Sequence, residues 1–207
     1  MEKELAQHLL EIGAVKLSPS KPYTWASGWK SPIYCDNRLS LSYPKLRKKI
    51  TLGLYTLACN FFPGVTAIAG VATAGIPQGV LLAEKMSLPF LYVRPKPKDH
   101  GMGNQIEGQL IEGARILMVE DLISTGKSSL EAVKALRDAG ANVVGLVSIF
   151  SYGFEIAQRN FENEELKFVS ITDYETLLEV ALEQKVINKT QLKALEQWRK
   201  HPEKWDV

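Results

Sequence analysis

The sequence contains too little of several residue types to support whole classes of function. Its two cysteines, Cys35 and Cys59, are too few for a disulfide framework or a cysteine-based zinc site. The net charge of +2 is too small to indicate a nucleic-acid-binding protein, although a phosphorylated substrate needs only local positive charge. With 45% hydrophobic and 23% charged residues, the remaining composition is that of an ordinary globular protein.

Long apolar runs are also missing. The sequence has no stretch of about eighteen apolar residues that would span a membrane. Residues 1–15 carry charges through their apolar pattern, which is not the pattern of a signal peptide. The sequence therefore predicts a cytoplasmic protein, and its length predicts a single domain over residues 1–207.

The most informative stretch is residues 115–129, RILMVEDLISTGKSS, which we call the signature. Four apolar residues, 116–119, are too few for a helix and predict a buried strand that ends before Glu120 and Asp121. The small residues over 124–129 then lead into a helical pattern. Backbone amides and the helix dipole at such a turn hold a phosphate, and the two acids can accept hydrogen bonds from sugar hydroxyls. The signature therefore indicates a site for a phosphorylated sugar.

Part of the signature also resembles a nucleotide-triphosphate P-loop, because Gly126, Lys127 and Ser128 match the end of that motif. A P-loop needs a glycine five positions before Gly126, and Asp121 occupies that position. An acid is the wrong residue where phosphates are to be cradled. We therefore reject the P-loop interpretation.

Strand and helix patterns alternate along most of the chain. Helices are predicted for residues 2–13, 44–60, 76–86, 129–139, 174–184 and 190–200, and strands for 65–71, 88–93, 116–119, 142–150 and 166–172. A turn of small residues, 72–75, is predicted between the strand at 65–71 and the helix that follows it. This alternation predicts a mainly parallel sheet covered by helices on both faces, with the site at the carboxyl ends of the strands. The final run, WRKHPEKW, is predicted to be a solvated tail, with Trp198 and Trp205 as packing or interface residues rather than ligand-stacking ones.

The composition changes sharply at residues 94–113, RPKPKDHGMGNQIEGQLIEG. Arg94, Lys96 and Lys98 are opposed by one acid, Asp99, and prolines and glycines disfavour regular structure. A loop of this length in a compact domain is usually a lid or a disordered insert. Taken alone, a solvated charge cluster explains the segment equally well. Beside a phosphate site, the segment is typical of a lid that closes over pyrophosphate.

Three segments together resemble the orotate phosphoribosyltransferases, a branch of the type I phosphoribosyltransferases. The signature matches the family's motif for phosphoribosyl diphosphate (PRPP): an apolar strand, two acids, two apolar residues and a small Thr/Ser/Gly loop. Residues 94–101 resemble its catalytic loop and depart from it at Pro95. Residues 27–38, SGWKSPIYCDNR, resemble its hood segment, which places Lys30 near the base.

The resemblance implies a type I phosphoribosyltransferase fold, with a mainly parallel sheet flanked by helices. A small hood over residues 1–40 and a flexible catalytic loop over residues 94–113 are implied with it. The implied reaction is the Mg²⁺-dependent transfer of phosphoribose from PRPP to orotate in pyrimidine biosynthesis, giving orotidine 5′-monophosphate and pyrophosphate. Magnesium is expected to arrive on PRPP without a direct protein ligand. A homodimer that shares the catalytic loop between subunits is also implied, with no nucleic-acid or membrane partner.

The implied site residues fall into three groups. The catalytic ones are Lys98, His100, Glu120 and Asp121. Those expected to bind PRPP are Arg94, Lys98, His100, Glu120, Asp121, Leu122, Ile123, Ser124, Thr125, Gly126, Lys127 and Ser128. Those expected to contact orotate are Ser124 and Lys30.

Three positions depart from the enterobacterial form of the family. Ala26 and Ala74 stand where that form has lysines that contact PRPP, and Tyr152 stands where it has an arginine near orotate. Other groups must therefore supply those contacts. The alternatives are an enzyme for another nucleobase, which the catalytic-loop and hood segments disfavour, and a non-catalytic PRPP-sensing regulator. A regulator of that kind would need a nucleic-acid surface, and the near-neutral charge disfavours one.

Overall fold

The computed structural model describes residues 1–25, 28–96 and 105–205 of the chain. Within these ranges the strands are β1 (Val15–Leu17), β2 (Tyr23–Thr24), β3 (Lys30–Ser31), β4 (Ile33–Cys35), β5 (Ala67–Val71), β6 (Phe90–Val93), β7 (Ile106–Glu107), β8 (Arg115–Ile123), β9 (Asn142–Ser151) and β10 (Phe168–Asp173). The α-helices are α1 (Glu2–Glu11), α2 (Pro44–Phe61), α3 (Gly75–Met86), α4 (Lys127–Asp138), α5 (Glu155–Asn163), α6 (Tyr174–Glu183) and α7 (Lys189–Lys200). Two 3-10 helices cover Asn37–Ser42 and Pro202–Lys204.

The centre of the molecule is a six-stranded sheet with the order β10-β9-β8-β5-β6-β7. Its strand pairs are parallel except for β7, which runs antiparallel to β6 at one edge. The mainly parallel sheet predicted from the sequence is therefore confirmed.

Helices cover both faces of this sheet, and the buried side chains of β8 alternate between two cores. Leu117 and Val119 join a core that includes residues of α1, α2, α3, α6 and α7. Ile116 and Met118 join a second core with residues of α4 and α5. A strand buried on both faces needs a continuous apolar run, and residues 116–119 provide one.

Strand β8 continues past the point where the sequence predicts its end. It runs through Glu120 and Asp121 to Ile123, so the two acids lie inside the strand rather than after it. Its neighbour β9 is ten residues long and continues the parallel ladder, pairing Glu120 with Ser148 and Leu122 with Phe150. Tertiary pairing therefore outweighs the low strand propensity of acidic residues.

Two short antiparallel ribbons occupy the segment predicted to form the hood. Strand β1 pairs with β4, and β2 pairs with β3. Ile33 of β4 is fully buried and belongs to the same core as Leu54 of α2. The ribbons therefore pack directly on the sheet-and-helix body.

The C-terminal run is not the solvated tail that the sequence predicts. Trp198 is fully buried, Pro202 is buried, and Trp205 packs against the core. The prediction that the two tryptophans pack is correct, and the prediction of a solvated tail is wrong. No helix among the described residues is long and apolar enough to cross a membrane.

Candidate active site

The small-residue turn, residues 72–75, lies directly against the signature strand. A Cβ atom on Gly75 would overlap the carbonyl oxygen of Val119, so glycine permits this close approach. The backbone N–H of Ala72 donates to the carbonyl oxygen of Val93 at 2.9 Å. The peptide bond between Ala72 and Thr73 is cis. The ends of β5, β6 and β8 thus meet here, as expected for a site at the carboxyl edge of the sheet.

Glu120 is a buried carboxylate with two hydrogen-bond donors. Its Oε1 accepts from the backbone N–H of Asp121 at 3.0 Å, and its Oε2 accepts from the Ser129 hydroxyl at 3.3 Å. Burial raises the pKa of Glu120 well above its usual value, and the nearby charge of Asp121 raises it further. The strand end therefore carries a carboxyl group that holds its proton more tightly than an exposed acid does.

Asp121 is half-buried beside Glu120 and connects the signature strand to the hood. Burial raises its pKa, while the hydrogen bond from Glu120 and the positive charge of Arg38 oppose that rise. The main-chain carbonyl of Asp121 accepts a hydrogen bond from the Asn37 side-chain amide at 2.8 Å. Asn37 also accepts from the Cys35 thiol at 3.4 Å. No sequence pattern singles out Asn37, although it lies within the hood segment.

The phosphate loop, residues 124–128, connects β8 to the start of α4. Helix α4 begins at Lys127, two residues before its predicted start, so Lys127 and Ser128 form its first turn. Gly126 has a φ of 77°, in the left-handed region that favours glycine. Free backbone amides at a helix start are suited to binding a phosphate. The loop therefore has the local geometry that the signature predicts.

Helix α5, which the sequence patterns do not predict, supports the phosphate loop from behind. The Asn160 side-chain amide donates to the carbonyl oxygen of Thr125 at 2.9 Å. The Phe161 ring packs so closely that a Cβ atom on Gly126 would lie 2.5 Å from its Cε2. Asn160 and Phe161 thus hold the loop although neither belongs to the signature.

A cavity of about 270 Å³, the base cavity, lies between the hood and the signature strand. Its lining consists of uncharged residues: Thr24, Trp25, Tyr34, Cys35, Leu122, Ser124 and Tyr152. Ser124, predicted to lie on the orotate side, is one of these residues. The Lys30 ammonium donates to the Thr24 hydroxyl at 2.7 Å, which sets a positive charge beside this lining. Larger cavities near β7 and between α6 and α7 contain none of the predicted site residues.

Tyr152, which replaces an arginine of the enterobacterial form, contributes an aromatic wall and no charge. Its side chain is 2% exposed, and its ring stacks on Phe154 with centroids 5.3 Å apart. Burial raises the pKa of its phenol well above the usual value, so the group stays neutral. Tyr152 therefore does not replace the missing cation.

The described ends of the predicted catalytic loop are joined by two hydrogen bonds. The Arg94 N–H donates to the carbonyl oxygen of Gln105, and the Gln105 side chain donates to the carbonyl oxygen of Arg94, both at 2.9 Å. Strand β7 lies within the segment predicted to lack regular structure, so that part of the prediction is wrong. Arg94 lines a small cavity together with Ala72 and Ser128, which brings the loop base, the small-residue turn and helix α4 together.

Some predicted site residues lie outside the described ranges. Lys98 and His100 of the catalytic loop are among them. Ala26 of the hood, one of the three departures from the enterobacterial form, also lies outside these ranges. Ala74 is described, and it directly precedes helix α3.

Comparison with known proteins decides the family. Residues 56–188 match the model of the phosphoribosyl transferase domain. The chain is 52% identical to the orotate phosphoribosyltransferase of Cytophaga hutchinsonii over 203 residues, which cover 98% of this chain and 97% of that protein. The chain belongs to the orotate phosphoribosyltransferase family.

Solved structures agree with this family. The orotate phosphoribosyltransferase of Aeropyrum pernix is 29% identical with a TM-score of 0.78, over 89% of this chain and 99% of that one. UMP synthase of Leishmania donovani is 26% identical with a TM-score of 0.80, over 95% of this chain and 42% of that one. This orotate phosphoribosyltransferase family member thus spans less than half of that longer chain.

Proposed function

We propose that the protein transfers the 5-phosphoribosyl group from PRPP to orotate, producing orotidine 5′-monophosphate and pyrophosphate for pyrimidine biosynthesis in the cytoplasm. The observation that carries the proposal is that the base cavity and the phosphate loop are adjacent and share a residue. Leu122 and Ser124 line the base cavity, and Ser124 also begins the phosphate loop. A planar base in the cavity and a ribose phosphate on the loop would therefore be neighbours, which is the arrangement that this transfer requires.

The carboxyl pair suits the ribose. Breaking the bond between the anomeric carbon and pyrophosphate builds positive charge on the sugar ring. Glu120 and Asp121 would accept hydrogen bonds from the 2′- and 3′-hydroxyls and stabilise that charge. Burial raises the pKa of both carboxyl groups. The positive charge of the transition state would lower these pKa values again and so favour loss of the protons.

The leaving pyrophosphate would be stabilised on the opposite side of the ring. Arg94 lies beside the small-residue turn and the first turn of α4. We assign Lys98 and His100 to the same task, with one of them also able to protonate the leaving group. Ala74 offers no charge, so backbone amides of the turn take part of that role.

Aromatic side chains would contact the flat faces of the base, and one nearby cation would attract its carboxylate. Trp25, Tyr34 and Tyr152 give the cavity an aromatic lining that suits a pyrimidine ring. Lys30 is positioned by Thr24 at the cavity lining and would attract the orotate carboxylate. Ser124 would donate a hydrogen bond to the base.

The donor chemistry of the site also fits Mg²⁺ carried by PRPP. Residues 120–128 provide carboxylate and hydroxyl oxygens and contain neither a thiol nor an imidazole. Such oxygens suit magnesium, which usually keeps several waters and binds through substrate phosphates. When bound, the ion supplies charge neutralisation on the diphosphate. We further propose a homodimer in which the catalytic loop of one subunit reaches the site of its partner.

The deciding experiment is an assay of the purified protein with PRPP and orotate, hypoxanthine, guanine or uracil, with and without Mg²⁺. We expect turnover of orotate and of none of the other three bases, and we expect that turnover to be lost when the metal is chelated. Turnover restricted to a purine or to uracil would identify an enzyme for another base. Binding of PRPP without turnover of any base would identify a regulator instead.

A further inference from the structure

Trp198 of the last α-helix reaches across the molecule to the hood. Its side chain is fully buried, and its indole Nε1–H donates to the main-chain carbonyl oxygen of Lys30 at 3.1 Å. Lys30 lies on β3, whose partner strand β2 contains Thr24 of the base-cavity lining. The indole therefore fixes the backbone of the residue whose ammonium contacts that lining.

The same indole packs against two walls of the base cavity. Its ring meets Trp25 edge to face, with centroids 5.6 Å apart at 86°, and meets Tyr152 in the same way at 6.0 Å and 80°. Both of these rings line the cavity, whereas Trp198 does not. Edge-to-face contacts of this kind stabilise a particular ring orientation beyond simple burial.

Helix α7 is itself tied to the body of the protein. The Tyr174 hydroxyl of α6 donates to the carbonyl oxygen of Leu195 at 3.1 Å, and the Tyr174 ring packs on Trp198 with centroids 5.6 Å apart. Tyr174 is also in ring contact with Tyr152 at 6.3 Å. The indole thus stands on a fixed support rather than on a loose terminus.

We propose that Trp198 is a positioning residue for the nucleobase, acting through Lys30, Trp25 and Tyr152. One side chain sets the position of the β3 backbone and the tilt of two aromatic rings. Those two rings line the space assigned to orotate, and the Lys30 ammonium lies beside it. The inference rests on the proposed function. It adds that the C-terminal helix determines affinity for the base and not affinity for PRPP.

The geometry explains why the effect should be selective. The phosphate loop is supported by Asn160 and Phe161 of α5, and Glu120 is held by Ser129 of α4. None of these contacts involves Trp198. A change at the indole should therefore disturb the base cavity and leave the PRPP side of the site in place.

The test compares Trp198→Phe with Trp205→Phe. Both changes replace an indole packed on the core by a phenyl ring, but Trp205 Nε1 has no hydrogen-bond partner among the described residues and its ring does not line the base cavity. We expect Trp198→Phe to raise the KM for orotate about five- to tenfold, because Lys30 and the two aromatic rings are no longer held in place for the base, with the KM for PRPP changed less than about twofold. Trp205→Phe should leave both values near those of the wild type.

Tyr174→Phe provides a second variant that keeps its ring contacts and removes only the hydroxyl that supports α7. It should raise the KM for orotate about two- to threefold without changing that for PRPP. An equal rise in both KM values, or an unchanged KM for orotate in a folded Trp198→Phe protein, would overturn the proposal. If Trp198→Phe does not fold, an unchanged orotate KM in Tyr174→Phe overturns it as well. A wild-type protein inactive on orotate would instead refute the proposed function.

Discussion

The side-chain amide of Asn37 donates a hydrogen bond to the main-chain carbonyl oxygen of Asp121 at 2.8 Å, across 84 residues of sequence. Asn37 is 1% exposed and begins the 3-10 helix that follows the hood ribbons. This bond connects the hood to the strand that carries both candidate catalytic carboxylates. The position of Asp121 therefore depends on a residue outside the signature.

The bond predicts a specific effect of Asn37→Ala. The change leaves the Cys35 thiol and the Asp121 carbonyl without their partner, which should destabilise the fold by about 1–3 kcal/mol. Movement of Asp121 should lower kcat/KM for PRPP by about tenfold, equivalent to about 1.4 kcal/mol of transition-state stabilisation. Urea denaturation and steady-state kinetics measure the two effects.

Ser40→Ala is the matched control for this change. It removes another buried hydrogen bond of the same 3-10 helix, from the Ser40 hydroxyl to the carbonyl oxygen of Asn37 at 2.6 Å. We expect a loss of stability of about 1 kcal/mol with kcat/KM close to that of the wild type. Equal kinetic losses in the two variants would mean that Asn37 acts only through general stability.

The buried carboxyl of Glu120 predicts a pH-dependent stability. Its pKa is raised in the folded protein above the ordinary 4.5, so the folded state holds the proton more tightly than the unfolded state does. Stability must then fall as the pH rises from about 4.5 to the raised pKa, by about 1.4 kcal/mol for each pH unit within that window. Glu120→Gln should remove this pH-dependent loss of stability. The free energy of unfolding of the variant, relative to that of the wild type, should therefore increase with pH and then level off.

Urea denaturation of the wild type and Glu120→Gln between about pH 4 and pH 8 measures the difference. Glu155→Gln serves as the control, because that carboxylate is 87% exposed and its removal should change stability by less than about 1 kcal/mol throughout. If the difference in the free energy of unfolding between Glu120→Gln and the wild type did not change with pH, the expected titration would be contradicted.

A comparison of two glycines with similar positive φ angles distinguishes the effect of backbone strain from that of side-chain crowding at the phosphate loop. Gly126 has a φ of 77° and faces Phe161, whereas Gly140 has a φ of 85° with nothing within 4 Å of an added Cβ. Alanine at either position should cost about 1–2 kcal/mol for the left-handed backbone. Only Gly126→Ala should also displace the loop and raise the KM for PRPP, by about tenfold or more. Similar PRPP kinetics in both variants would rule out crowding by Phe161.

The proposed sharing of the catalytic loop predicts complementation between two inactive variants. Lys98→Ala removes the loop lysine, and Asp121→Asn removes a strand carboxylate. If each site combines the strand of one subunit with the loop of the other, a mixed dimer contains one intact site. Random re-association of equal amounts should then restore about a quarter of wild-type turnover. Activity no greater than that of the separate variants would exclude shared sites.

Much of the fold follows from local sequence patterns. The apolar runs at 116–119 and 142–150 predict buried strands, and the small residues of the signature predict the turn before a helix that the structure contains. Helix α5 could not be found in this way because only Ala157 and Phe161 of its nine residues are buried. Two apolar contacts do not produce a clear helical period.

The contacts that the sequence patterns do not reveal have a common physical cause: each joins residues that are far apart in the sequence. Asn37, Asn160 and Trp198 each hold a backbone carbonyl far away in sequence, and a polar or aromatic side chain gives no local sign of such a partner. The extension of β8 through Glu120 and Asp121 has the same origin, since its length is set by the ladder with β9. Local sequence patterns can therefore indicate candidate reacting groups, but they do not indicate the distant side chains that hold those groups.

The bond between Trp198 and Lys30 spans 168 residues, most of the length of the chain. Contacts of such high sequence separation form only after loop closure over nearly the whole polypeptide. During synthesis the N-terminal strands emerge long before helix α7, so the ribosome-bound chain lacks the indole that packs behind two walls of the base cavity. The role proposed for Trp198 therefore implies that affinity for the nucleobase is acquired at the end of synthesis. A chain truncated before α7 would keep residues 124–128 and lose the bond that holds Lys30.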